Sequence, residues 1–112
     1  MQTVVETPGY LRFAGPIFTA AEREAIVDMI AADPKCGDLI PGTGGFRKVR
    51  VPRAGMGKRG GARVIYILYS ENLPVFLIAA YAKNQKGNLT QAERNDLTKL
   101  AREIFANYGE HR

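Results

Sequence analysis

The sequence predicts an α+β fold in which a small antiparallel sheet is packed by N-terminal and C-terminal helices. Three observations lead there. Two capping boxes, Thr19 with Glu22 and Thr90 with Glu93, open helical segments near either end of the chain. Between them lie three runs of strand character, over residues 46–52, 62–70 and 74–83. The last two are joined by Glu71-Asn72-Leu73-Pro74, short enough for a hairpin turn that makes them antiparallel neighbours. At 112 residues, 46% of them hydrophobic, the chain fits one domain with a real if small core.

Each element has a local cause. Thr3, Val4 and Val5 make residues 2–6 β-prone but short, which suits an edge strand. Pro8, Gly9, Gly15 and Pro16 punctuate the next stretch, so residues 9–14 make at most a brief helical turn. The first capping box then starts a helix over 20–32, with Ala25, Ile26, Met29 and Ile30 near helical spacing and Pro34 as its stop. Residues 33–45, rich in Pro and Gly, read as a loop. The run 46–52 alternates bases with Val49 and Val51, whereas Arg63–Tyr69 and Val75–Tyr81 are nearly continuous apolar runs suited to central strands. In the final helix Leu97, Leu100, Ala101, Ile104, Phe105 and Tyr108 trace one stripe, and Gly109 is the expected stop.

Charge is distributed unevenly over this frame. Between Asp38 and Glu71 there are seven bases and no acid, so the formal charge of +5 is +7 from this stretch and −2 from the remainder. Seven of the twelve glycines lie among or just before these bases. A phosphate backbone selects such a concentration, because each contacted phosphate releases a counterion; a solvated basic loop is the plainer alternative. The glycines match neither GxGxxG nor GxxxxGK[ST] in a strand-to-helix setting, so they permit tight turns, and close approach to a polyanion would be additional.

Strand alternation sorts the bases. Lys48 and Arg50 share a face with Phe46, and Arg47 shares the other with Val49 and Val51. Arg63 alternates with Ile65 and Ile67 on the next strand, and Tyr81 and Lys83 are two apart on the third. Lys48, Arg50, Arg63, Tyr81 and Lys83 are therefore predicted to converge on one sheet face or its rim.

Other chemistries find less support. The only histidine, His111, is the penultimate residue, and no His/Cys/carboxylate cluster has metal-ligand spacing, which argues against metal-dependent hydrolysis and implies no cofactor. No Ser-His-Asp or Cys-His arrangement can be assembled. An enzyme built here would draw its acid and base from Lys, Arg, Tyr or a carboxylate, and a lysine among like charges is the natural base because they disfavour its protonated form. Cys36 reads as a passive small hydrophobe. With no apolar run of membrane-spanning length, no signal peptide at Met1–Glu6 and a single cysteine, the expected compartment is the cytoplasm.

Three blocks make the sequence resemble a known family. Asp33-Pro34-Lys35-x-Gly37-Asp38-x-Ile40-x-Gly42-Thr43-Gly44-Gly45-x-Arg47-Lys48-x-Arg50 precedes Gly57-Lys58-Arg59-Gly60-Gly61-x-Arg63-x-Ile65-Tyr66, and Tyr81-x-Lys83-Asn84 closes the pattern. This is similar to HigB-type toxins of the RelE superfamily. The resemblance implies the toxin of a bacterial type II toxin–antitoxin pair, an endoribonuclease (mRNA interferase) that enters the ribosomal A site and cuts mRNA without a metal, by attack of the ribose 2′-OH on the adjacent phosphate. It implies Lys48 as candidate base, Arg63 as phosphate clamp, Lys83 or Tyr81 as candidate acid and Arg50 as charge support. Arg47, Arg53, Lys58 and Arg59 would hold RNA or ribosome backbone. The implied partners are mRNA on the ribosome and a cognate antitoxin carrying a helix-turn-helix domain. The same superfamily holds non-enzymatic members such as gyrase inhibitors; these, or a nucleic-acid-binding module without catalysis, are the alternatives.

Overall fold

The computed structural model describes residues 2–52, 61–82 and 89–109. Their order is β1 (Val4–Glu6), α1 (Pro8–Ala14), α2 (Ala20–Ala32), β2 (Asp38–Leu39), β3 (Phe46–Val51), β4 (Ala62–Ile67), β5 (Val75–Ala82) and α3 (Gln91–Gly109). Both capping boxes form. Thr19 Oγ1 accepts from Glu22 N–H at 3.1 Å while Glu22 Oε1 accepts from Thr19 N–H at 2.8 Å, and Thr90 and Glu93 repeat the exchange at 3.1 and 2.9 Å. Each satisfies amide groups that a helix start leaves without partners.

The five strands form one sheet in the order β1-β5-β4-β3-β2. Four run antiparallel to their neighbours, but β1 pairs with β5 in parallel, Val4 opposite Val75. The predicted sheet is antiparallel throughout. Alternation fixes a strand's faces and not its direction, and β1 has no short turn to a partner that would dictate direction. It is held instead by a Val75 N–H bond to Thr3 O and by Gln2 Nε2, which donates to Ser70 O and Leu73 O.

Two other differences have local reasons. α1 is a seven-residue helix rather than a turn, because Thr7 Oγ1 accepts from Tyr10 N–H and Pro8 sits where its missing amide costs nothing. Its burial of Tyr10 and Ala14 supplies the stability that its length lacks. β2 lies inside the segment read as a loop; its two residues pair with Arg47 and Lys48 at the sheet edge.

The sheet is covered on both faces. On one, Tyr10, Ala14, Phe18, Ile26 and Ile30 pack on Val51, Val64, Tyr66, Val75 and Leu77. On the other, Phe46, Ile65, Ile67 and Phe76 meet Ala101 and the half-buried stripe Leu97, Leu100, Ile104 and Phe105 of α3. This is why β4 is apolar at nearly every position. No helix among the described residues is long and apolar enough to cross a membrane.

Candidate active site on the sheet

Register decides which side chains meet. Arg50 of β3 is directly opposite Arg63 of β4, and Arg63 is directly opposite Tyr81 of β5. Strands lie about 4.8 Å apart, so the three side chains form one row across the sheet. The row inward is Lys48, Ile65 and Ala79, with Asp38 of β2 beyond Lys48. The predicted convergence of Lys48, Arg50, Arg63 and Tyr81 on one face therefore holds. Lys83 lies outside the described residues, as do Arg53, Lys58, Arg59, His111 and the glycines at 55, 57 and 60.

Tyr81 reaches this face through a β-bulge. Ile65 pairs with Ala79 but Tyr66 pairs with Leu77, leaving Ile78 as an extra residue in β5. Strict alternation from Phe76 would send Tyr81 to the face of α1 and α2. The extra residue resets the phase, so that Phe76, Ala79 and Tyr81 all belong to the α3 side.

The electrostatics of the row are costly as they stand. Like charges directly opposite on neighbouring strands destabilise a sheet. Arg50 is exposed and Arg63 half-buried, and Arg63 Nη1 is a buried donor with no hydrogen-bond partner among the described residues. Leaving a buried donor unmatched costs about 1–3 kcal/mol, more for a charged group. An oxyanion on the row would answer both penalties at once, since guanidinium groups bind phosphate through charge-assisted bonds. Asp38 opposite Lys48 means that cations are not the lysine's only neighbours.

Arg47 occupies a different place. It projects to the face opposite the row, and its Nη1 donates to Gly37 O at 2.7 Å and, more weakly, to Lys35 O at 3.5 Å. Tyr66, fully buried, completes the same clamp: its Oη accepts from Gly37 N–H and donates to Pro34 O, both at 2.8 Å. Burial pushes the Tyr66 hydroxyl well above the ordinary tyrosine range, against the pull of the Gly37 amide. Where the sequence suggests a grip on RNA backbone, the structure has Arg47 bracing the loop that delivers β2.

The glycines mostly shape the backbone. Gly42, Gly44 and Gly45 have φ of 75°, 80° and 121°, and the turn they make is pinned by Thr43 Oγ1, which donates to Ile40 O and accepts from Phe46 N–H. At Gly61 a Cβ would lie 2.6 Å from Val51 O, so β3 and β4 close beside the row only because that position has no side chain.

Sequence reasoning missed two carboxylates near Tyr81. A cavity of about 200 Å³ borders it, walled by Phe13, Ile65, Ala79 and Leu97 and edged by Glu93 and Asp96. Glu93 reads from sequence only as a helix cap; its i+3 relation to Asp96, which puts both on one helix face, is the signal that could have flagged the pair.

With this geometry in place, comparison with known proteins adds one finding. The family described as "RelE toxin of RelE / RelB toxin-antitoxin system" matches residues 21–111, a span that includes every strand of the row and the helix behind it.

Proposed function

The chain belongs to the RelE toxin family of toxin–antitoxin systems, and from that premise we propose that it is a ribosome-dependent mRNA endonuclease of the HigB type. The observation that carries this reading is the Arg50–Arg63–Tyr81 row with its buried, unmatched Arg63 Nη1. A non-catalytic toxin needs no such arrangement. A phosphodiester seated on the row satisfies the guanidinium and offsets the repulsion of the two arginines.

The chemistry uses the chain's own groups. Lys48, as the general base, takes the proton of the ribose 2′-OH. The 2′ oxygen attacks the adjacent phosphorus, and Arg63, supported by Arg50, stabilises the charge that builds on the phosphoryl oxygens. The bond from phosphorus to the 5′ oxygen breaks, and Tyr81 or Lys83 donates a proton to that oxygen. The products are a 2′,3′-cyclic phosphate and a 5′-hydroxyl. Arg53, Lys58 and Arg59, in the glycine-rich connection between β3 and β4, are proposed to grip RNA or ribosome backbone.

A toxin of this family has a cognate antitoxin, here proposed to carry a helix-turn-helix domain and to act with the toxin in the cytoplasm. The test is expression of the wild type and Arg63→Ala with mapping of transcript ends. Growth arrest with cuts inside translated codons, both lost in Arg63→Ala, is the expected result. Arrest with intact transcripts and damaged DNA would favour the gyrase-inhibitor alternative.

A further inference from the structure

β1 accompanies β5 only as far as Leu77. Beyond that point, among the described residues, the outer edge of β5 is flanked by the end of α1 and the start of α3. The cavity of about 200 Å³ lies here. Its floor is Ile65 and Ala79, which stand one row inward from Arg63 and Tyr81. Phe13, more than half exposed at 54%, forms one wall, and Leu97 with Leu89 forms the other. The lining is apolar except where Glu93 and Asp96 reach the rim and Tyr81 joins the cavity to the row.

We propose that this cavity is a base pocket, seating one nucleobase of the RNA strand whose phosphate rests on Arg63, with the Asp96 carboxylate accepting an exocyclic amino N–H. The assignment rests on the ribonuclease reading and adds to it a determinant of sequence preference. Size is the first reason: an apolar cavity of about 150 Å³ holds a benzene-sized ring, and this one is somewhat larger. Position is the second. Residues two apart on a strand are about 6.6 Å apart, so a ribose-phosphate on the outer row places its base over the next row inward.

Charge is the third reason. A carboxylate repels phosphate, so Asp96 has no place in a backbone-gripping surface, but it matches the amino groups of adenine, cytosine and guanine. Uracil offers no exocyclic amine, and its carbonyl oxygens would oppose the carboxylate. Glu93, held by its capping bond to Thr90 N–H, strengthens the same bias. Apolar walls of this kind accept any base by its ring face, so they contribute affinity and the rim supplies the choice.

The test uses translating ribosomes programmed with mRNAs whose A-site codon differs at one position at a time. The wild type is expected to cut codons with an amino-bearing base at one position about tenfold faster than those with uracil there. Asp96→Asn, whose amide both donates and accepts, should bring the two rates close together. Phe13→Ala, at an exposed position where folding is not at stake, should raise KM for every codon and leave the ranking intact. Cleavage that continues with an unchanged ranking in Asp96→Asn and Asp96→Ala overturns the pocket and leaves the ribonuclease reading standing. An unchanged ranking with lost neutralisation by the antitoxin hands the cavity to the protein partner and likewise overturns it. A wild type that cuts nothing on translating ribosomes overturns both readings.

Discussion

Arg50 and Arg63 face each other directly across β3 and β4, two cations paired where a sheet gains most from opposite charges. Because no fold needs that pairing, Arg63→Gln should leave stability unchanged or raise it by up to about 1 kcal/mol. The same substitution should slow mRNA cleavage by about 100-fold or more, the usual effect of removing a group that stabilises a developing oxyanion. Thermal unfolding and cleavage on ribosomes measure the two separately. A variant that loses stability and activity together would make Arg63 a structural residue.

Arg47 and Arg50, three positions apart, should respond in opposite ways. Arg47→Ala removes a charged hydrogen bond to Gly37 O and should cost about 1.5–3 kcal/mol in unfolding free energy. Its effect on the salt dependence of ribosome binding should be small. Arg50→Ala, at an exposed position, should leave the unfolding midpoint near wild type and reduce the salt slope by about one phosphate contact. Denaturant titration and binding across a salt series distinguish them, and reversed outcomes would return Arg47 to the RNA-gripping set.

Two glycines should separate by sign. At Gly61 an added Cβ would press on the Val51 carbonyl oxygen, which is backbone and cannot step aside, so Gly61→Ala should cost about 1–3 kcal/mol. At Gly9, inside α1, the nearest atom would be Ile78 O at an ordinary 3.7 Å, and Gly9→Ala should gain up to about 1 kcal/mol from helix propensity. Chemical denaturation of the pair decides the matter; equal effects would mean the two backbones do not differ as described.

Tyr10 predicts the alkaline limb of stability. It is fully buried, and burial, with Glu6 adding to it and Arg23 opposing it, pushes its pKa up to about 12 from an ordinary 10. The folded state holds the neutral phenol while the unfolded chain ionises from about pH 10. The stabilisation is thus complete below pH 10 and is lost as pH rises through 12, amounting to about 3 kcal/mol across that window. Tyr10→Phe should flatten this part of the profile. Because the Tyr10 hydroxyl has no hydrogen-bond partner among the described residues, that variant should cost little at neutral pH. An identical alkaline slope in Tyr10→Phe would contradict the assignment.

Much of this architecture can be read from local rules. The helix over 20–32 falls where a capping box and Pro34 place it, and β4 and β5 pair antiparallel through a seven-residue connection, 68–74, that contains the predicted turn Glu71–Pro74. The row of Arg50 and Arg63 comes from alternation plus antiparallel pairing. Other features depend on information no single strand carries. The parallel direction of β1 is set by contacts some seventy positions away, such as that of Gln2 with Ser70. Tyr81 shares the face of Arg63 only because Ile78 is an extra residue, and nothing in a run of Leu, Ile and Ala marks which one bulges. Arg47 looks like any other base until the loop from Pro34 to Gly37 folds over it. Asp96 acquires meaning only when α3 is laid beside β5.

The most direct measurement compares purified wild type and Arg63→Gln, each shown to be folded, on translating ribosomes, with the chemistry of the new RNA ends determined. Wild-type cleavage within the A-site codon, leaving 2′,3′-cyclic phosphate and 5′-hydroxyl ends and reduced at least about 100-fold in Arg63→Gln, is the predicted result. Intact transcripts on ribosomes that bind the wild-type protein, or equal cleavage by both proteins, would contradict the account.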